Sequence, residues 1–204
     1  VNMRLSRDRW ISQLRMVLAE GAGWGSTDVG RGAKVNVEFV SANPTGPLTV
    51  GHARGAVVGD ALAAVLEATG HAVHREYYVN DAGSQIDDLA RSVHLRYRES
   101  LGEEIAEIPE GLYPGNYVKD VAARVRAEIG DEWSDLEESE WLPTFRRLSA
   151  ERLLDVIKGD LAALGVKHDG FIRESKMHAD GRLKDALREM RKRGLVYDGV
   201  PAPP

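Results

Sequence analysis

The sequence contains no cysteine in its 204 residues. This absence excludes disulfide bonds, thiolate metal ligands and a cysteine nucleophile, and it fits a reducing compartment. No apolar run reaches the roughly 18 residues that a membrane-spanning helix needs. The stretch where a secretory signal would have its apolar core is interrupted by Arg4, Arg7, Arg9 and Arg15. The sequence therefore predicts a cytoplasmic protein with no membrane segment.

Metal-binding patterns are also missing. The sequence has no H-E-x-x-H motif and no cluster of carboxylates at ligand spacing. His71 and His74 are three apart on a predicted strand, so their side chains point to opposite faces and do not share one metal ion. We expect no metal site built by the protein itself.

The net charge is −5 at pH 7, which argues against a protein whose whole surface binds nucleic acid. The charge is unevenly distributed, because residues 99–140 hold thirteen acidic and three basic side chains. That segment carries about −10 and the remainder about +5. Any contact with nucleic acid should therefore avoid residues 99–140.

The stretch that organises the fold lies near the start of the chain. A β-branched run at Val35–Val40 predicts a buried strand, residues 43–51 predict a turn, and apolar spacing predicts a helix from about residue 53 to 69. Residues 71–79 predict a second strand. The resulting β-α-β unit has parallel strands and a right-handed crossover, so the sequence predicts an α/β fold with a Rossmann-like parallel sheet.

The rest of the chain reads as helices with short strands. We expect an N-terminal helix over residues 3–20 that packs on the protein, then a flexible glycine-rich linker to residue 32. We expect residues 33–204 to form one Rossmann-like domain, with a helical insertion at about 100–165. The remaining predicted elements are helices at 83–97, 117–129, 142–164 and 180–193, and short strands at 171–173 and 195–197.

The loop after the first strand suits a phosphate. A helix N-terminus offers unpaired N–H groups and a positive dipole end, and Gly46 and Gly51 allow a ligand to approach the backbone. His52 lies at this helix start, where it can stabilise charge that develops on a transferred phosphate group. A structural histidine is the simpler alternative.

Two further side chains flank the strand end. Glu38 lies in a strand that we expect to be buried on both faces, so its carboxylate needs a cationic partner. A structural salt bridge satisfies this need, and so does a guanidinium ligand, which matches a carboxylate through two hydrogen bonds. Asn43 precedes Pro44, which holds it extended and orients its amide. Asp81 follows the second strand. Two roles stay open for it: it caps the next helix, or it faces the site.

Two blocks of the sequence carry a family resemblance. The first is V-E-F-V-S-A-N-P-T-G-P-L-T-V-G-H at residues 37–52, and the second is R-E-Y-Y-V-N-D-A-G-S-Q at residues 75–85. Both closely resemble bacterial arginyl-tRNA synthetases, class I aminoacyl-tRNA synthetases with an H-x-G-H motif at the end of the first block. Thr49 stands where the family has the first histidine of that motif.

The resemblance implies ligation of arginine to tRNA(Arg), with ATP as the cofactor and Mg²⁺ carried by ATP. It implies catalytic roles for His52 and Thr49 and arginine binding by Glu38 and Asn43. Asn80, Asp81 and Gln85 would lie at the edge of the active site. The implied ATP-binding residues are Pro44, Thr45, Gly46, Pro47, Gly51 and His52.

Several family parts are missing from this sequence, including a K-M-S-K-S loop and an anticodon-binding domain, and the end at Pro201–Pro204 looks like a cut. We therefore expect a monomeric fragment that is inactive alone. Two alternatives stay open. One is a synthetase-like binding module without catalysis, for which Thr49 is the positive sign. The other is a different class I ligase, such as a cysteinyl or glutamyl type, although the lack of cysteine removes thiolate zinc ligands, and the pair Glu38 and Asn43 suits a cationic amino acid.

Overall fold

The structure is a computed structural model that describes residues 3–197 and 199. A short 3-10 turn at Gly21–Gly23 follows the first helix. The other elements occur in the order α1 (Arg7–Glu20), β1 (Lys34–Glu38), α2 (Val50–Ala68), β2 (Ala72–Val79), α3 (Ser84–Ser100), α4 (Tyr117–Ile129), α5 (Glu138–Ala163), β3 (Gly170–Arg173), α6 (Glu174–Ala179) and α7 (Arg182–Lys192).

Within the described residues the strands form one parallel sheet in the order β1-β2-β3. Glu38 at the end of β1 is level with Glu76 of β2, and Val79 at the end of β2 is level with Arg173 of β3. Because β2 and β3 extend farther than β1, the chain leaves β1 beside their carboxyl ends. Open α/β sheets bind ligands at this edge.

Two apolar clusters form the core. One lies between the sheet and α2 and includes Val37, Ala63 and Tyr77. The other lies among α3, α4 and α5 and includes Tyr97 and Phe145. The first half of α5 packs in the helical cluster, and its second half packs against the sheet. One long helix therefore joins the helical insertion to the sheet.

The predicted β-α-β unit and helical insertion are confirmed. The helices predicted at 117–129 and 142–164 match α4 and α5, and the strand at 171–173 matches β3. The second helix begins at Val50, earlier than predicted, because Thr49 caps its N-terminus. The apolar spacing therefore predicted the start of the helix too late, because it does not register the capping residue.

The prediction that α1 packs on the protein is wrong for the described structure. The helix forms, but none of its residues is buried, and Trp10 is 63% exposed. Its apolar face shows that helical periodicity identifies a face suited to burial without identifying its partner.

The glycine-rich segment after α1 is not flexible throughout. Thr27, Gly30 and Gly32 each donate a backbone hydrogen bond to carbonyl groups at the C-terminal end of α2, over residues 68–70. A Cβ at Gly30 would meet the side chain of His71 at 2.5 Å. The segment packs closely against the end of α2, so glycine serves here for close approach.

The strand predicted at 195–197 is absent, since these residues have no regular structure. Leu195 and Tyr197 are exposed, and in the described structure the sheet contains only β1, β2 and β3, so these residues pair with no strand there. The prolines near the end, Pro201–Pro204, lie outside the described residues. None of the helices in the described part of the chain combines the length and apolar character that crossing a membrane requires.

Candidate active site at the sheet edge

The chain turns sharply where it leaves β1. Val40 and Ser41 have φ values of 66° and 42°, in the left-handed region that a β-branched residue rarely adopts. Side chains hold this turn. The Ser41 hydroxyl donates to Glu38 Oε1 at 2.8 Å and accepts from the backbone N–H of Tyr78 at 3.0 Å. The strained backbone is therefore tied to both strands beside the site.

A buried tyrosine supports the next residue of the turn. The hydroxyl of Tyr77 donates to the carbonyl of Ala42 at 2.8 Å. Burial raises the pKa of Tyr77 to about 12, so the phenol stays protonated and remains a donor at neutral pH. The backbone that leads into Asn43 is thus fixed from inside the core.

Thr49 and His52 form a reciprocal cap on α2. The Thr49 side chain accepts from the His52 backbone N–H, and the Thr49 N–H donates to His52 Nδ1 at 3.0 Å. Because Nδ1 accepts this bond, the proton of a neutral His52 ring sits on Nε2. Nε2 has no partner among the described residues. The cap therefore leaves one donor of His52 available to a ligand at the helix N-terminus.

The loop between Asn43 and Pro47 lies against the helical insertion. Pro44 is buried, while Thr45 and Gly46 are half-buried and Pro47 is exposed. The hydroxyl of Tyr117, the first residue of α4, donates to the Thr45 carbonyl at 2.9 Å. Gly51 is exposed in the first turn of α2, where a Cβ would meet the Thr49 hydroxyl at 3.6 Å.

Three amide side chains meet beside this loop. Asn43 Nδ2 donates to Gln85 Oε1 at 2.8 Å, across 42 residues of sequence. Both residues line a cavity of about 260 Å³ together with Asn80. Asn80 Oδ1 is buried and has no hydrogen-bond partner among the described residues. A buried acceptor without a partner is costly, so this cavity suits a ligand that donates N–H groups.

Asp81 has a structural role that differs from the one predicted. Its side chain is 7% exposed and accepts from the backbone N–H and the hydroxyl of Ser175, both at 2.8 Å. Arg173 lies 3.6 Å from the same carboxylate. Asp81 therefore caps α6, which lies far along the chain, and not the helix that follows it.

Glu38 is exposed, so the prediction that its strand is buried on both faces is wrong. In the described structure β1 pairs only with β2, and its alternate residues face outward. The carboxylate accepts from Ser41 through Oε1 and needs no buried cation. Its position at the strand end still leaves it accessible to a ligand at the sheet edge.

A larger cavity of about 630 Å³ lies on the other side of Asp81. It is lined by charged side chains that are already paired. Arg146 lies 2.9 Å from Asp87, and Arg147 lies 3.1 Å from Glu151. Because these cations have carboxylate partners, the cavity carries less free charge than its arginines suggest.

Comparison with protein families gives a match to tRNA synthetases class I (R), catalytic domain, over residues 13–200. The match covers most of the chain. This chain belongs to that family. The sheet edge described above is therefore part of a class I synthetase catalytic domain.

Curated relatives agree with this assignment. The chain is 52% identical over 206 residues to an arginine–tRNA ligase of Rhodopseudomonas palustris, and 51% identical over 206 residues to one of Nitrobacter hamburgensis. Both alignments cover 100% of this chain and 34% of the relative. The chain therefore spans about a third of the length of these relatives.

Solved structures show the same fold. A Campylobacter jejuni protein, provisionally named an arginyl-tRNA synthetase, superposes with a TM-score of 0.83 at 32% identity, covering 96% of this chain and 42% of that one. The arginyl-tRNA synthetase of Thermus thermophilus has a TM-score of 0.60 at 24% identity, covering 94% of this chain and 31% of the other. These likenesses support the parallel α/β fold with its helical insertion.

The motifs did not reveal which residues outside the turn after β1 support it. Tyr77 holds Ala42 and Tyr117 holds Thr45, each through one hydroxyl. His168 stacks on Phe39 with ring centroids 4.2 Å apart. One signal for the role of Tyr117 was present in the sequence, in the run Tyr113-Pro114-Gly115-Asn116-Tyr117. A Pro-Gly pair favours a turn, and here it lies between two aromatic residues.

The described residues contain no group of three or more side chains that could hold a metal ion.

Proposed function

We propose that this chain forms the nucleotide-binding part of an arginine–tRNA ligase that uses ATP to activate arginine and charge tRNA(Arg). The observation that carries this proposal is the Thr49–His52 cap, which leaves His52 Nε2 and the start of α2 available at the carboxyl edge of the sheet. The names of the relatives at about half identity support the choice of amino acid.

The proposed reaction has two steps. A carboxylate oxygen of arginine attacks the α-phosphorus of ATP, the bond to the bridging oxygen breaks, and pyrophosphate leaves. A terminal hydroxyl of tRNA then attacks the carbonyl carbon of arginyl-adenylate, and AMP leaves. Mg²⁺ arrives with ATP. Neither step needs a covalent bond to the protein, so catalysis rests on positioning and on stabilising phosphate charge.

Phosphate charge is stabilised by donors at the start of α2. The backbone N–H groups of Val50 and Gly51 have no acceptor among the described residues, as expected for the first turn of a helix. His52 adds its Nε2 proton. These donors and the positive end of the helix dipole favour a phosphate oxygen at this point. The loop Pro44–Pro47 contacts the rest of the nucleotide.

Arginine is held at the adjoining strand end. The exposed carboxylate of Glu38 pairs with a cationic group of the substrate, and Oε2 is the oxygen not used by Ser41. Asn43 has its Nδ2 committed to Gln85, so its Oδ1 is free to accept an N–H of the substrate. Asn80 supplies a second acceptor in the same cavity. Asp81 acts indirectly, by fixing α6 beside the site.

The complete ligase would contact tRNA(Arg) away from the acidic segment 99–140 and act in the cytoplasm as a monomer. The rival proposal of a non-catalytic module rested on Thr49. Its hydroxyl is occupied by the cap, which gives threonine a positive role at this position. Loss of the family histidine at Thr49 is therefore no argument against catalysis.

The test is arginine-dependent pyrophosphate exchange by a full-length ligase containing this chain, with tRNA present. His52→Ala should lower the rate by roughly 10²–10³, the cost of losing one donor to a transition state. His74→Ala is the matched control, because its side chain is half exposed on β2, and it should leave the rate unchanged. Exchange that depends on another amino acid would identify a different class I ligase. No exchange with any amino acid would favour the non-catalytic module.

A further inference from the structure

The ring of Tyr117 lies between two glycines that are far apart in the sequence. A Cβ at Gly46 would lie 3.3 Å from the Tyr117 hydroxyl, and a Cβ at Gly115 would lie 2.4 Å from its Cε1. Neither glycine has a positive φ. A side chain at Gly115 would displace the ring, whereas one at Gly46 would require the ring to shift by a few tenths of an ångström.

The ring belongs to the helical insertion. Tyr117 begins α4 and packs against the cluster formed by α3, α4 and α5. The preceding turn is also attached to α3, because the Tyr113 N–H donates to the buried hydroxyl of Ser92 at 2.9 Å. The hydroxyl of Tyr117 is therefore held by the packed helices of the insertion, which lie outside the loop of residues 43–47.

The bond from Tyr117 orients one peptide group of the loop. A trans peptide is planar, with its N–H pointing opposite to its carbonyl. The Thr45 carbonyl points at Tyr117, so the N–H of Gly46 points away from it. This N–H has no acceptor among the described residues. It is an oriented donor that the fold leaves available.

We propose that Tyr117 is a positioning residue for ATP, which fixes the Thr45–Gly46 peptide so that the Gly46 N–H donates to the nucleotide. This inference rests on the proposed function. Burial raises the pKa of Tyr117, with a smaller contribution from Tyr113, so its phenol remains a donor well above neutral pH. The helical insertion thus takes part in nucleotide binding through one hydrogen bond.

The first experiment measures pyrophosphate exchange by the full-length ligase with tRNA present, varying ATP and arginine separately. Tyr117→Phe should raise KM for ATP about 3- to 10-fold, the effect of losing one neutral hydrogen bond, and leave KM for arginine within about twofold. Gly115→Ala should do the same, because its methyl group displaces the ring. Tyr113→Phe is the matched control, since no hydrogen bond of its hydroxyl occurs in the described part of the chain.

The second experiment uses this chain alone and needs no activity. The Thr45 N–H donates to the Asn43 carbonyl at 2.8 Å, so its hydrogen exchange reports loop order. Tyr117→Phe should speed that exchange about 3- to 10-fold, while Tyr113→Phe should not. Unchanged Thr45 exchange in Tyr117→Phe, or equal losses for ATP and arginine, would overturn the proposal. If the unchanged ligase shows no arginine-dependent exchange, the proposed function fails, and the Thr45 measurement still decides whether Tyr117 orders the loop.

Discussion

The hydrogen bond between Asn43 and Gln85 determines which end of the Asn43 amide faces the cavity. Because Nδ2 donates to Gln85, the oxygen is left for a donor from the substrate. An asparagine alone presents either end. In the proposed function, the bond to Gln85 makes Asn43 an acceptor for the cationic amino acid.

This arrangement predicts different effects for two replacements of Gln85 in the full-length ligase. Gln85→Met removes the acceptor and should raise KM for arginine about 3- to 10-fold, whereas Gln85→Glu keeps an acceptor and should retain most of the affinity. Pyrophosphate exchange with arginine varied at saturating ATP measures both. Equal losses in the two variants would contradict the assigned orientation of Asn43.

At the scale of elements, α2 depends on the cap at its first residue. The Thr49 side chain accepts from the His52 N–H, and the Thr49 N–H donates to the His52 ring, which satisfies two backbone N–H donors at once. Such reciprocal caps stabilise a helix start and fix the side chains that form them. The same contact therefore stabilises α2 and orients His52.

We expect Thr49→Ala to lower the free energy of unfolding by about 1 kcal/mol, the usual cost of losing an N-cap side chain. Thr49→Ser should restore it, because serine keeps the hydroxyl. Urea denaturation of this chain measures both variants.

In the full-length ligase, Thr49→His should change the adenylation rate only modestly. A large gain would show that His52 and the helix N-terminus do not supply most of the phosphate stabilisation.

The packing of α3 against α5 buries His94. Its ring stacks on Trp141 with centroids 3.9 Å apart, and Nε2 lies 3.0 Å from the carbonyl of Trp133. Burial lowers the pKa of His94 from its ordinary 6.5. The hydrogen bond to the Trp133 carbonyl opposes this shift, Arg98 lowers the pKa further, and Glu103 and Glu138 raise it. Burial also lowers the pKa of His168 under the sheet.

These shifts predict a loss of stability in mild acid. A histidine whose pKa is lower in the folded state binds protons preferentially in the unfolded state, so stability falls as pH drops through about 6.5. The unfolding midpoint of this chain should decrease between pH 7.5 and 5.5, and His94→Gln should weaken that dependence. If His94→Gln and His168→Gln each showed a pH dependence as steep as that of the unchanged chain, both histidines would be excluded as its cause.

At the scale of the molecule, several apolar faces lack a partner in the described structure. On α2, Val57, Val58 and Leu62 are each more than half exposed, and α1 has no buried residue. Exposed apolar surface of this extent usually marks a contact with another surface. The curated relatives contain about three times the length of this chain.

We therefore expect this chain alone to fold yet fail to charge tRNA. Its two packed apolar clusters are sufficient for folding. The chain supplies the proposed phosphate donors at the start of α2, but it spans only about a third of the length of its relatives. Aminoacylation with ATP, arginine and tRNA should show no turnover above background, while urea unfolding should be cooperative. Measurable charging would show that the described residues suffice for both steps.

The local pattern of the sequence determined the elements of this protein. A β-branched run, a proline- and glycine-rich turn and apolar spacing of 3.6 residues predicted β1, α2 and β2, because the side-chain pattern of a strand or a helix repeats within a few residues, although the spacing placed the start of α2 too late. The two motif blocks determined the family, and both lie at the predicted sheet edge. Their spacing in the chain follows from the β-α-β unit.

Tertiary structure decided what these residues contact. Glu38 was expected to be buried, but exposure depends on which strands lie beside β1, and periodicity does not report that. Asn43 meets Gln85 across 42 residues, Thr45 meets Tyr117 across 72, and Asp81 meets Ser175 across 94. Such pairs depend on the packing of the sheet and the helical insertion, because one hydrogen bond does not offset the entropy of closing a loop of this length.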